Sequence, residues 1–203
     1  MFTGLIQKVG EMVELKKSAG GMAMTIAHDG WDTMLVPGES VAVQGVCLTV
    51  SRCTKMQFEC DILEETISRT NFSLKRRGAK LNMERAMKAG DRFGGHMVSG
   101  HVDGVGRLTS RIKKNRDWLL RVECIEDITS SIIEKGSVTC DGISLTVTAV
   151  SKRYFDVSMI PHTWENTSIS TMNMGETVNI ETDLVGKYIR KYIEAYKSGV
   201  EAK

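Results

Sequence analysis

The chain repeats itself. "VQGVCLTV" at 43–50 returns as "CDGISLTV" at 140–147, 97 places later, with Gly, Leu, Thr and Val kept and Val46 exchanged for Ile143. At the same offset "ETISRT" (65–70) meets "HTWENT" (162–167), and "GAKLNMERA" (78–86) meets "GETVNIETD" (175–183). The opening "MFTGLIQKVG" meets "MVSGHVDGVG" at 97–106, offset 96, so one residue is inserted between the blocks. Four blocks in one order and at nearly one offset mark a duplication. A unit of about 96 residues is the size of a domain, not of a solenoid repeat. Whatever folds here must fold twice, in tandem.

Each copy reads as short strands. "SVAVQGVCLTV" and "SVTCDGISLTVTAV" alternate about a central Gly, "QFECDIL" and "YFDVSMI" are β-rich, and "KLNMERA" and "TVNIETD" alternate again. Glycines at 10, 30, 38, 78, 94, 95, 104, 106, 136 and 175 punctuate them as turns or bulges. About six short strands per copy predict a small closed antiparallel barrel, since closure removes exposed sheet edges. Only the tail reads as helix. In "DLVGKYIRKYIEAYKSG", Leu184, Val185, Tyr188, Ile189, Tyr192, Ile193 and Tyr196 form one stripe, with Lys187, Arg190, Lys191 and Glu194 opposite. Asp183 is the expected N-cap and Gly199 lies just past the expected end. Both barrels can close without this helix, so its stripe is expected to bury against copies of itself. The expected units are 1–96, 97–183 and a helical tail, 184–203.

Bulk properties remove several functions. A net charge of +2 gives no electrostatic footprint for nucleic acid or an anionic membrane, and no apolar run approaches a membrane span. The N-terminus has no basic leader followed by an apolar block. Five cysteines, an odd number without C-x-x-C, argue against a disulfide framework and for the reducing cytoplasm, where the sequons at Asn71 and Asn166 carry no meaning.

In "GGHMVSGHVDGVG" (94–106), His96 and His101 are five apart; on one strand they would face opposite sides, which argues against a shared metal. No metal-ligand spacing, G-x-G-x-x-G or phosphate loop occurs. His96 reads as a satisfied surface group. His101 replaces copy one's Leu5 beside a repeated Gly and is the better candidate. Cys47 and Ser144 share one place in the repeat, with Thr49 and Thr146 two residues on and therefore on the same strand face. A free Cys in a strand is most often a small packed side chain, but nucleophile-capable groups in both copies favour function. Glu65 against His162 and Phe2 against Val98 are further differences, and Pro161 marks a strand edge or end. Two similar but unlike pockets would hold two similar molecules in different roles.

"MFTGLI", "GVCLTV", "GGHMVSGHVDG", "DGISLTV", "IPHTWENT" and "VNIETDLVGKYI" together resemble riboflavin synthase of the alpha-chain type, over nearly the whole chain. The resemblance implies two six-stranded Greek-key barrels related by a pseudo-twofold axis, and a C-terminal helix that joins three subunits. It implies one 6,7-dimethyl-8-ribityllumazine per barrel, transfer of a four-carbon unit between them, no metal or redox cofactor, and a site shared by neighbouring subunits. Association with a lumazine synthase is a further possible partnership. Ligand-contacting segments carry over onto Gly4, Leu5 and Ile6, onto Cys47, Leu48 and Thr49, and onto Asp61, Ile62, Leu63, Glu64, Glu65 and Thr66 in copy one. In copy two they fall on Gly100, His101 and Val102, on Lys135, on Ser144, Leu145 and Thr146, and on Ser158, Met159, Ile160, Pro161, His162 and Thr163. Implicated catalytic positions fall on Phe2, Ser40, Cys47, His101, Ser144, Thr146 and Asp183. Gln44 stands where Asn is commoner and Trp164 where Leu is common. The rival readings are a non-catalytic antenna-type lumazine binder and a generic flavin-binding barrel. Intact motifs in both copies favour the enzyme.

Overall fold

The structure, a computed structural model, describes residues 1–197. Among the described residues twelve strands close into two barrels. The first comprises β1 (Lys8–Ser18), β2 (Gly21–Ala27), β3 (Ser40–Val43), β4 (Val46–Cys53), β5 (Gln57–Leu63) and β6 (Lys80–Arg85), closed in the order β1-β2-β5-β4-β3-β6. The second comprises β7 (Gly104–Lys114), β8 (Asp117–Glu123), β9 (Ser137–Cys140), β10 (Ile143–Val150), β11 (Tyr154–Met159) and β12 (Thr177–Thr182), in the same cyclic order. The copies agree down to irregularities. Register shifts at Met12/Glu14 and Val50/Arg52 recur at Leu108/Ser110 and Val147/Ala149. Bulges bend strands so that a small barrel can close, which accounts for their repetition.

Each barrel has its own core, around Met24, Val41, Phe58, Phe72 and Met83 in the first and Leu108, Val138, Phe155, Val157 and Ile180 in the second. Gly10 and Gly106, expected at turns or bulges, lie inside β1 and β7. A Cβ at Gly10 would fall 2.8 Å from Met83 Cε, and one at Gly106 would fall 2.7 Å from Ile180 Cδ1. Packing, not turning, requires glycine there.

Short helices escaped the sequence reading: α1 (Glu64–Arg69), α2 (Glu126–Thr129) and α3 (Pro161–Glu165), with 3-10 turns at Asn71–Leu74 and Ser168–Thr171. They are too short for a helical period to show. Pro161, read as a strand edge or end, follows directly on β11 and opens α3. The tail forms α4 (Leu184–Lys197), whose Val185 N–H donates to Asp183 Oδ1 at 2.8 Å, as expected of an N-cap; Gly199 lies outside the described residues. The polar face of α4 docks on its own second barrel, with Lys187 2.7 Å from Asp103 and Arg190 Nη1 2.9 Å from Ser131 Oγ. The apolar face points away, leaving Tyr188, Tyr192 and Tyr196 65–79% exposed.

The barrels meet tip to tip. Gln44-Gly45 and Asp141-Gly142 are the two-residue turns of hairpins β3-β4 and β9-β10, all four with φ between 47° and 80°. A Cβ on Gly45 would lie 2.7 Å from Gly142 N. Buried amides cross this contact in matched pairs. Asn82 Nδ2 donates to Asp141 O and Asn179 Nδ2 donates to Gln44 O, both at 3.0 Å. Asn82 N–H donates to Gln44 Oε1 at 2.7 Å, and Asn179 N–H donates to Asp141 Oδ1 at 2.8 Å. Asn71, one of the sequons, is wholly buried in this joint and donates through Nδ2 to Asp141 Oδ1 at 3.2 Å.

The symmetry breaks at Asp141. Burial pushes its carboxyl up to about 6, against the partial counteraction of Lys75 and the hydrogen bonds from Asn179 and Asn71, while Glu176 pushes it higher. Among the described residues neither Asp141 Oδ2 nor Asn71 Oδ1 has a hydrogen-bond partner, although the two side chains are already bonded through their other atoms. The folded state thus binds this proton more tightly than the unfolded chain does. The stability Asp141 contributes is full below the ordinary carboxylate range and is lost as pH rises through about 6. Asp141→Asn tolerates the positive φ and puts an amide donor in the place of the unpaired Oδ2. It is expected to raise the melting temperature at pH 8, by about 1–3 kcal/mol of stability, with a gain that shrinks as pH falls from about 6 toward the ordinary carboxylate range. Thermal unfolding of both proteins across that range checks it.

Candidate functional site

Cys47 and Thr49 on β4, and Ser144 and Thr146 on β10, point out of their barrels, while Leu48 and Leu145 point into the cores. Both outward faces are crossed by a segment arriving from the other half. Residues 2–6 run across to β10, where Ser144 N–H donates to Gly4 O at 2.8 Å and Ile6 packs on the second core. Residues 98–102 run across to β4, where Cys47 N–H donates to Gly100 O at 2.8 Å and Val102 packs on the first core. Glycine is required at both crossings: a Cβ on Gly4 or Gly100 would lie 2.6 Å from the Cβ of Ser144 or Cys47. The sequence reading grouped Gly4, Leu5 and Ile6 with Cys47, and Gly100, His101 and Val102 with Ser144. The structure exchanges them: each segment bridges to the other barrel across the Phe2–Val98 pairing.

Two carboxylates hold these arms. Glu84 on β6 accepts from Thr3 N–H at 2.7 Å, from the Thr3 hydroxyl at 2.8 Å and from Gly4 N–H at 2.9 Å. Glu181 on β12 repeats this with Ser99 N–H, the Ser99 hydroxyl and Gly100 N–H at 2.6–3.0 Å. Burial pushes Glu84 up while the donors from Thr3 and Gly4 pull it back. Neither glutamate was a site candidate, although both were visible as an identity between the copies.

The second face gathers Ser144, Thr146, Gly4 to Ile6, and the end of β11 with α3. Thr146 pairs directly with Ser158, both exposed. Met159 points into the core, whereas Ile160 and His162 are exposed and Pro161 and Thr163 are half-buried. Trp164 stacks on Trp118 of β8 at 4.2 Å and 21°, which pins α3 to the barrel; the Trp in place of the commoner Leu thus serves positioning. The first face gathers Cys47, Thr49, Gly100 to Val102, and β5 with α1. There Asp61, Leu63, Glu64 and Glu65 are exposed, Thr66 is half-buried and Ile62 is buried in the core. Ser40 pairs with Thr49 on this barrel. Lys135 sits exposed in the turn before β9 with φ 64°.

Phe2 and His96 sit otherwise in the fold than the sequence suggests. Phe2, a catalytic candidate, is completely buried against Ala42 and Val98, where it anchors the arm. His101 is exposed, its N–H held by Ser99 Oγ at 3.3 Å. His96 is not the surface group the sequence suggested. Residues 96–101 form no strand, and the arm turns the buried imidazole onto Ser144, Nδ1 2.7 Å from Oγ. Asp183 half-buries where β12 gives way to α4. All five cysteines are free thiols. Among the described residues no three His, Cys, Asp or Glu side chains gather as a metal site, and no helix is long and apolar enough to cross a membrane.

The comparisons agree with this architecture. The lumazine binding domain family matches residues 3–86 and again 99–183, so the chain belongs to that family as a tandem pair. Among curated relatives, the riboflavin synthases of Bacillus amyloliquefaciens and Bacillus subtilis are each 40% identical over 193 residues, covering 95% of this chain and 90% of theirs. That of Mycobacterium bovis is 37% identical over 199 residues, covering 96% of this chain and 99% of its own. In fold, the chain is similar to LumP complexed with riboflavin, with a TM-score of 0.82 at 22% identity over 90% of this chain and 99% of that one.

The exchange of arms makes a specific expectation. Glu84→Ala leaves two buried N–H groups and a hydroxyl without an acceptor, at a cost on the order of 2–3 kcal/mol. Although Glu84 lies in the first barrel, the substitution should weaken ligand binding on the second barrel more than on the first, and Glu181→Ala the reverse. Titration of each variant with 6,7-dimethyl-8-ribityllumazine, resolving the two sites, reads this directly.

Proposed function

We infer that the chain is an enzyme that converts two molecules of 6,7-dimethyl-8-ribityllumazine into riboflavin and 5-amino-6-ribitylamino-2,4-pyrimidinedione by transferring a four-carbon unit. One observation carries the reading: both copies keep a complete outward face, each crossed by the other half's arm, yet the faces differ in chemistry. Identical molecules must be made unlike before one can donate carbons to the other. Cys47 against Ser144, Leu5 against His101 and Glu65 against His162 supply that difference. The near-full-length identity to riboflavin synthases supports the same reaction. A fluorescent antenna protein needs only one occupied barrel, so the intact second face counts against that rival.

In this scheme one lumazine loses a proton from its 7-methyl group and attacks the other, made electrophilic by addition at C7. Exposed His101, on the arm that crosses the first barrel, relays the proton. Ser144 and Asp183 orient the acceptor. Holding two rings face to face, in antiparallel orientation, supplies most of the acceleration.

Each face is an open surface in one chain, so the productive site is formed between the first barrel of one subunit and the second barrel of its neighbour. The outward apolar stripe of α4 supports a homotrimer joined through these helices. A cytoplasmic location follows from the reducing cysteine usage, and a lumazine synthase is the partner that would deliver substrate.

Incubating purified protein with the lumazine is expected to produce flavin absorbance without any added cofactor. Its absence, with binding intact, would leave an antenna-type binder. Cys47→Ser and His101→Gln should each slow turnover while the trimer persists in sedimentation. Mixing two inactive variants, one altered on each barrel, should restore part of the activity if the site is shared between subunits.

A further inference from the structure

We propose that the groove between the two turns leading into β6 and β12 is a binding site for a small polyanion, a molecule of nucleotide size that carries two or more phosphate charges. The groove uses none of the residues assigned to the two outward faces, and the proposal does not depend on the reaction described above.

A cavity of about 720 Å³ opens where residues 74–80 of the first copy meet residues 168–177 of the second. That volume falls in the range that encloses a small organic ligand. Its wall carries Lys75, Arg76, Arg77, Lys80 and Arg107 against one acid, Glu176. The whole chain has a net charge of only +2, so this is a local concentration of charge. Lys80 is engaged 3.0 Å from Glu11, and Glu176 accepts from Asn173 Nδ2 at 2.7 Å. Lys75, Arg76, Arg77 and Arg107 make no ion pair among the described residues, although Glu123 stands across the β7-β8 ladder from Arg107. Two acids oppose an anion here, Glu176 and the buried Asp141, which feels both Lys75 and Glu176. The four unpaired cations outnumber them.

The repeat supplies a control. The turn "LKRRGAK" at 74–80 corresponds to "TMNMGET" at 171–177. Both are built alike. Lys75 N–H donates to Phe72 O, and Met172 N–H to Ile169 O; Gly78 N–H donates to Met12 O, and Gly175 N–H to Leu108 O. The two glycines have φ of 89° and 88°. Yet the cations at 75, 76, 77 and 80 face Met172, Asn173, Met174 and Thr177 in the other copy. The same turn therefore folds with no positive charge at all, and crowding like charges into it opposes folding. Charges that the turn does not need, and that find no partner in the chain, point to a partner outside it. The N–H groups of Lys75, Gly78 and Ala79 are spent on the chain's own carbonyls, so side chains must do the holding. Guanidinium groups suit phosphate, since they pair with two of its oxygens at once. Arg76 and Arg77 come from the first half and Arg107 from β7 of the second, so the occupant spans both barrels.

Calorimetric titration of the full chain with pyrophosphate and with ADP tests this, at low and at high salt. One site per chain is expected, weakened by salt as screening sets in. The variant Lys75→Met, Arg76→Asn, Arg77→Met takes the residues of the second copy, so the turn is kept. It is expected to weaken ADP binding about a hundredfold, and Arg107→Gln alone about tenfold, as for lost charge-assisted hydrogen bonds. Lumazine titration should be unchanged in both. No binding of either probe at millimolar concentration overturns the proposal, and so does ADP binding that Arg107→Gln and the triple variant both retain. Single-stranded RNA bound in preference to ADP, or a polyglutamate peptide bound as tightly as ADP, also overturns it and makes the groove a surface for a macromolecule.

Discussion

Two buried carboxylates organise this molecule. Glu84 and Glu181 each satisfy two backbone N–H groups and a hydroxyl on the segment that leads into their own barrel. A carboxylate with several donors is worth burying, and a short polar arm without an acceptor is not. With each arm gripped at its root, its next residues have one place to go, which is across the joint onto the opposite barrel. Neither face is complete without the other half. The duplication therefore did not make two independent domains; it made two barrels that finish each other.

The joint enforces the same dependence from below. Two hairpin turns meet where no side chain fits, and Asn82, Asn179, Asn71, Gln44 and Asp141 satisfy one another across the contact. Buried amide networks are directional, so they fix one relative orientation where an apolar seam would allow several. That orientation sets where each arm lands. The departure at Asp141 costs stability at neutral pH and leaves the geometry intact.

Function lies in the departures from symmetry. Where the copies agree, at Gly4 and Gly100 and at Glu84 and Glu181, the fold is being built. Where they differ at equivalent outward places, the two faces differ in chemistry. His96, buried against Ser144, has no counterpart in the first copy. The helix α4 adds a further inequality: only the second barrel carries it, docked through Lys187 and Arg190, with its apolar stripe turned outward.

The sequence by itself determined the duplication, the strand content, the outward pairs Cys47/Thr49 and Ser144/Thr146, and the terminal helix with its Asp183 cap. These are properties of local period and of identity at a fixed offset, which need no partner to be read. The tertiary structure alone decided which arm covers which barrel, that Phe2 is an anchor, that His96 is buried on Ser144, and that Glu84 and Glu181 are clamps. Each depends on residues 48 to 140 positions apart meeting in space, from His96 on Ser144 to Gly4 on Ser144, and a periodicity of two or of 3.6 carries no information at that separation. Burial likewise decided the proton balance of Asp141 and His96, because desolvation depends on what surrounds a group and not on its neighbours in the chain.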